Sequence, residues 1–176
     1  ARISLYPEVA ANLCKKAKTG NDAKFLVVAV NFLSKYDDQE QLRVMHSMPD
    51  TVQDLYSSMI FPFLEQVMGE KAMQHLLGLL YYEQKGGILR SEMSKLVKNS
   101  VHQHRLYGLC QDLRSLGITA VTADEDLFII SCDEVRTAIH DRYISHQSVL
   151  KDHFQQVFKM EQVTSRLLWC WFLRMM

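Results

Sequence analysis

The residues whose types and spacing could do chemistry are the cations of one short stretch. Lys95, Lys98, His104, Arg105 and Arg114, with His102 beside them, fall on two consecutive helical segments. Cations in such a cluster meet nucleic-acid phosphates, and on a helix that enters the major groove they also reach base edges. Glu92 and Asp112 dilute the cluster, and the trio Asp124, Glu125 and Asp126 would face a phosphate backbone with the wrong sign. A solvated or protein-facing surface is therefore the first expectation, and nucleic-acid binding the alternative.

Other chemistries find less support. His102 and His104 are two residues apart and point away from each other on a helix, His140 and His146 flank a helix break, and His153 stands alone. None has the i, i+4 spacing of a helical zinc site, so no metal is expected. Cys14, Cys110, Cys132 and Cys170 show no CxxC spacing and sit in apolar patterns, which predicts buried free thiols in a reducing compartment. Asp133 beside Cys132 disfavours a thiolate. Asp37-Asp38 and the acidic trio read as turn formers. No catalytic residue is assigned, and the expectation is no enzyme activity within these residues.

The 176 residues carry 20 basic and 20 acidic side chains, so no net field draws the chain to nucleic acid or membrane. Hydrophobic residues make up 48 %, which a folded chain needs and a disordered one lacks. The apolar end LLWCWFLRMM is roughly half the length of a bilayer span, so no membrane anchor is expected. With the start at Ala1, this end predicts a piece of a larger intracellular chain, cytoplasmic with the nucleus as alternative, whose next helix would cover Trp169 and Trp171.

Hydrophobic periodicity supplies the elements that must position these groups. A helix opens at Pro7 with Val9, Ala10, Leu13, Cys14 and Ala17 as its stripe, and Thr19-Gly20-Asn21 breaks it. Residues 25–33 are apolar all round and predict a buried helix. A short polar helix covers 39–46. Asp50 or Thr51 then caps a long helix with the stripe Val52, Leu55, Tyr56, Met59, Ile60, Phe63, Leu64 and Val67, kinked at Pro62 and ended by Gly69. Helices over 72–84, 90–98 and 101–116 follow. The runs 118–122 and 127–131 pair as a short antiparallel wing, and helices over 133–144, 146–159 and 162–175 close the chain. Pro49, Gly69 and Asn21 are the expected hinges. The fold class predicted is mainly α, with a helical lid over 1–68, a winged helix with a two-stranded wing over 69–145, and C-terminal helices over 146–176.

Four stretches carry a family resemblance: KAKTGNDAKFLVVAVNFL, SMPDTVQDLYSSMI, LLGLLYYEQKGGILRSEMSKLV and SCDEVRTAIHDRYI. In this order, over roughly residues 5–160, the chain resembles the region C-terminal to the nucleotide-binding core of STAND-type P-loop NTPases. It is most similar to the NACHT and NACHT–WD-repeat branch, which includes telomerase-associated and nephrocystin-like proteins. The resemblance implies a regulatory helical lid and winged helix. Its partners would be an upstream nucleotide-binding domain, a downstream repeat domain and other proteins, with the segment acting as coupler or passive scaffold.

By the same resemblance, ADP or ATP would bind the parent protein, and no cofactor is expected within these residues alone. No Gly-rich loop ending in Gly-Lys-Ser/Thr occurs; Gly69-Glu70-Lys71 lacks the first glycine and the hydroxyl. The family's adenine-packing proline matches Ala23. Its phosphate-contacting His-Asp pair matches Cys132-Asp133, where a thiol replaces the imidazole. His140, two helical turns later and followed by Asp141, is the second choice for that role.

Overall fold

The computed structural model describes residues 5–20, 23–82, 87–97, 103–120, 122 and 126–145; of 17–20, 82, 95–97 and 103–104 it describes the backbone alone. Over these residues the chain is mainly helical, with one small antiparallel sheet. The expected helices over 146–159 and 162–175, with Cys170, Trp169 and Trp171, lie outside the described residues. No described helix is long and apolar enough to cross a membrane.

Three helices come first: α1 (Pro7–Gly20), α2 (Ala23–Leu33) and α3 (Asp38–Ser47). Asp37, expected to form a turn, caps α3 by accepting the amides of Gln39 and Glu40. In α2, Phe25, Val28, Ala29, Phe32 and Leu33 are buried, whereas Val27 is 60 % exposed. Apolar residues surround this helix, but among the described residues the face that carries Ala23 and Val27 stays exposed, so the expectation of burial all round is corrected. The buried-thiol expectation is corrected likewise: Cys110 is buried, Cys132 half-buried and Cys14 exposed.

A single rod follows: α4 (Val52–Leu55), a π turn (Tyr56–Ile60) and α5 (Phe61–Met68). Thr51 caps it by accepting the Asp54 amide at 3.1 Å. Pro62 was expected to kink the stripe. Helical structure continues through Pro62, and its missing donor coincides with a wider five-residue turn just before it. Gly69 at φ 92° ends the rod.

The second half runs α6 (Glu70–Tyr82), β1 (Ile88–Leu89), α7 (Arg90–Val97), α8 (Gln103–Ser115), β2 (Leu127–Phe128), α9 (Asp133–Ile139) and a second π turn (His140–Ile144). The expected antiparallel pairing of 118–122 with 127–131 is present in part, and a third segment joins it. Strand β2 pairs with β1, Ile88 opposite Phe128 and Leu89 opposite Leu127. The remainder of 127–131 pairs on its other side with 118–120: Thr119 bridges Ile130, the Ala120 amide reaches Ile129 O at 2.8 Å, and the Ser131 amide reaches Ile118 O at 3.0 Å. The ladder thus has three segments, with 127–131 in the middle. Glu92 caps α7 from within, accepting the Leu89 amide at 2.9 Å.

One apolar cluster joins both halves. It takes Phe32 and Leu33 from α2, Tyr56, Ile60 and Leu64 from the rod, Leu76 and Leu77 from α6, Leu109 and Leu113 from α8, and Val135 and Ile139 from α9.

Candidate functional site

The neighbours of two assigned positions, Ala23 and Asp133, meet where α2 starts and α9 starts. Ala23 is the first residue of α2 and is exposed. Its neighbour Lys24 reaches across to Glu134, Nζ to Oε2 at 2.7 Å. Cys132 immediately precedes α9 in extended backbone, and Asp133 and Glu134 fill the first turn, where the helix dipole favours carboxylates.

The junction has a floor as well. Gly117 turns the chain out of α8 at φ 68°, and a β-carbon there would stand 3.1 Å from the Tyr56 hydroxyl. That hydroxyl is buried and donates to Leu116 O at 2.8 Å. Ser131 Oγ donates to Gly117 O at 2.5 Å and lies 3.5 Å from Cys132 Sγ. The rod, the end of α8 and the segment after β2 are thereby fastened at one point.

The charges at this point hold one another. A hydrogen bond from Lys24, then one involving the Cys132 thiol, draws the Glu134 carboxyl down to about 2. Partial burial would lower Lys24, but its hydrogen bonds to Cys132 and Glu134 outweigh that and raise it above the ordinary lysine value. Both partners remain substantially exposed, so the pair contributes only about 0–1 kcal/mol. Replacing Lys24 by glutamine is accordingly expected to cost under about 1 kcal/mol in a denaturant titration. The same change should return the Glu134 carboxyl, read by NMR titration, toward the ordinary value of about 4.3.

His140 does not join this junction. It lies at the far end of α9, roughly 12 Å of helix rise away. There its ring is 5.9 Å from that of Tyr81 and its Nδ1 is 3.1 Å from Asp141 Oδ1. Arg136 covers the same tyrosine at 5.6 Å.

Of the basic cluster, the side chains of Arg105 and Arg114 are described. Lys98 and the side chains of Lys95 and His104 lie outside the described residues. Arg105 and Arg114 are nine residues apart on α8, which places them about 180° apart around the helix. Arg105 is exposed, whereas the Arg114 guanidinium lies 4.5 Å over the Phe128 ring. Glu92 is turned inward as a cap and Asp112 is paired with Lys35, so neither acid dilutes an exposed patch as expected. Asp126 pairs with Arg90 at 3.1 Å.

The outer face of α8 borders an open groove of about 460 Å³ lined by Val67, Met68, Arg105, Gly108, Leu109 and Asp112. Tyr107, at 61 % exposure, stands on the same helix.

Lys24, Tyr56, Gly117 and Glu134 were not singled out from the sequence. Only the adjacency of Lys24 to Ala23 and of Glu134 to Asp133 pointed near them. Among the described residues, no three His, Cys, Asp or Glu side chains are grouped to hold a metal ion. Compared with known proteins, the chain matches no family model, no curated protein and no solved structure.

Proposed function

We propose that the chain is a non-catalytic regulatory and interaction segment, a helical lid fastened to a winged helix, from a larger STAND-type multidomain protein. The observation that carries this reading is the junction at Lys24 and Glu134. The resemblance assigns nucleotide contacts to Ala23 on the lid and to Cys132-Asp133 at the wing exit. In this chain the neighbours of those positions bond directly to each other. A direct lid-to-wing latch is what a segment that transmits conformation requires, with or without a nucleotide between its parts. The order of α6, β1, α7, α8 and two further ladder segments supports the winged-helix part of the reading. Tyr107, exposed on α8 away from the groove, offers the aromatic anchor of a protein-facing surface.

The test is a charge swap in the parent protein. Lys24→Glu changes the rate of nucleotide exchange or turnover, and Lys24→Glu combined with Glu134→Lys restores it. If the swap restores nothing, the latch does not transmit.

The nucleic-acid reading is separated by titrating the chain with mixed duplex and single-stranded DNA and RNA against salt. No binding near physiological salt is expected. Micromolar binding that weakens steeply with salt and falls on Arg105→Glu would replace this proposal.

A further inference from the structure

The rod over residues 52–68 changes register in its middle, and a side chain from outside the rod bonds to the backbone there. The π turn closes with the Phe61 amide donating to Tyr56 O. In this five-residue register the next donor would be the amide of residue 62, and its acceptor Ser57 O. Residue 62 is proline and has no amide hydrogen. Arg142 supplies the donor instead, Nη1 to Ser57 O at 3.1 Å.

The rest of the same guanidinium forks onto Glu65 about two turns further along, Nε to Oε1 at 2.8 Å and Nη2 to Oε2 at 2.6 Å. Tyr143 adds its hydroxyl to Glu65 Oε1 at 2.6 Å, and its ring packs 5.6 Å from Phe61. Burial alone would raise the Glu65 carboxyl. The Arg142 and Tyr143 hydrogen bonds outweigh burial and hold it below the usual carboxylate range. Arg142 and Tyr143 belong to the second π turn, which closes with the Ser145 amide on His140 O at 2.9 Å. Gln53, at the start of the rod, reaches the same turn through Asp141 at 3.1 Å.

We propose that Arg142 is the register lock of the 52–68 rod, a positioning residue that replaces from the second π turn the backbone hydrogen bond Pro62 cannot make. Withdrawing the turn at 140–144 orphans Ser57 O and leaves the Glu65 carboxylate unpaired at the same moment, so the rod opens between 57 and 65. Coupling of this kind runs both ways: whatever moves the exit turn loosens the rod, and whatever shifts the rod loosens the exit turn. The device stands independently of the STAND reading, because it needs only these two elements.

Amide hydrogen exchange on the full chain tests it. Arg142→Met is expected to speed exchange of the 53–65 amides about tenfold or more, with α2 and α8 far less affected. The deciding arm puts Pro62→Ala into the same background, since alanine restores a donor inside the rod. There, Arg142→Met should lose most of its effect on the 53–65 amides. An effect of equal size with proline and with alanine means that Arg142 acts only through its ion pair, and overturns the proposal. If Arg142→Met does not fold, Arg142→Lys is compared in the two backgrounds. A loss confined to the proline background supports the lock, and an equal loss overturns it.

Discussion

Alanine at Gly87 is expected to destabilise the chain by about 2–5 kcal/mol, a large part of the roughly 5–15 kcal/mol that holds a domain together. Two effects add. The backbone at Gly87 has φ 63°, a left-handed conformation that costs an L residue about 1–2 kcal/mol. A β-carbon there would also stand 2.7 Å from Phe128 O, 2.7 Å from Ile129 Cγ1 and 3.0 Å from Leu127 Cδ1. The carbonyl is backbone and cannot swing aside as a side-chain tip would. It belongs to the residue paired with Ile88, so relief of the clash pushes β2 away from β1. Overpacking of this kind typically costs about 1–3 kcal/mol. Gly69 is the comparison: it has φ 92° and ψ 137°, outside the left-handed helical region, and nothing within 4 Å of its added β-carbon, so Gly69→Ala carries backbone strain of its own without collision. Urea titrations should therefore place Gly87→Ala well below Gly69→Ala. Equal losses would mean that the β1–β2 pair accommodates the methyl group without loss of its own.

The same neighbourhood shows which parts of the fold could be read from the chain. The stripe Leu106, Leu109, Cys110 and Leu113 repeats at helical spacing and is buried as that spacing demands. Strand β1 is two residues long, too short for any alternation to register, and a glycine pair before it reads only as a helix break. Its pairing with β2 is decided by register between distant segments, which no local pattern encodes. Val27 illustrates the opposite failure. An apolar side chain says what burial would gain, not whether a neighbour arrives to bury it. The candidate junction was half legible. Ala23 and Cys132-Asp133 could be named separately, but the contact of Lys24 with Glu134 spans 110 positions and exists only once both helices are docked. Pro62 was visible as a defect. The compensating donor, Arg142, lies 80 residues further on, and nothing near it in the chain marks it as such.

Stability is expected to fall steeply above about pH 10, with Tyr56 and Tyr143 carrying much of the loss. Burial is the first cause of a strong upward shift in both hydroxyls, and Tyr143 is raised further by its hydrogen bond to the Glu65 carboxylate. Ionising Tyr56 in place would set a phenolate against Leu116 O, and ionising Tyr143 would set one against Glu65. In the unfolded chain both titrate near 10. Above that pH the unfolded state binds fewer protons than the folded state, so unfolding becomes easier as pH rises. Each such tyrosine contributes about 1.4 kcal/mol per pH unit to the slope, and the two together about 2.7 kcal/mol. Their contribution is fully present below the unfolded value and is lost progressively as pH climbs toward the folded one. The Cys110 thiol, also pushed up by burial, starts the decline earlier, so differences between variants carry the test rather than the raw slope. Tyr56→Phe should cost about 1–3 kcal/mol at neutral pH by leaving Leu116 O without its donor, and should remove about one tyrosine's share of the alkaline slope. Tyr143→Phe should remove the other share. Denaturant midpoints measured from pH 8 to 11 decide the matter. Parallel profiles for the wild type and both variants would show that these hydroxyls reach solvent before the chain unfolds.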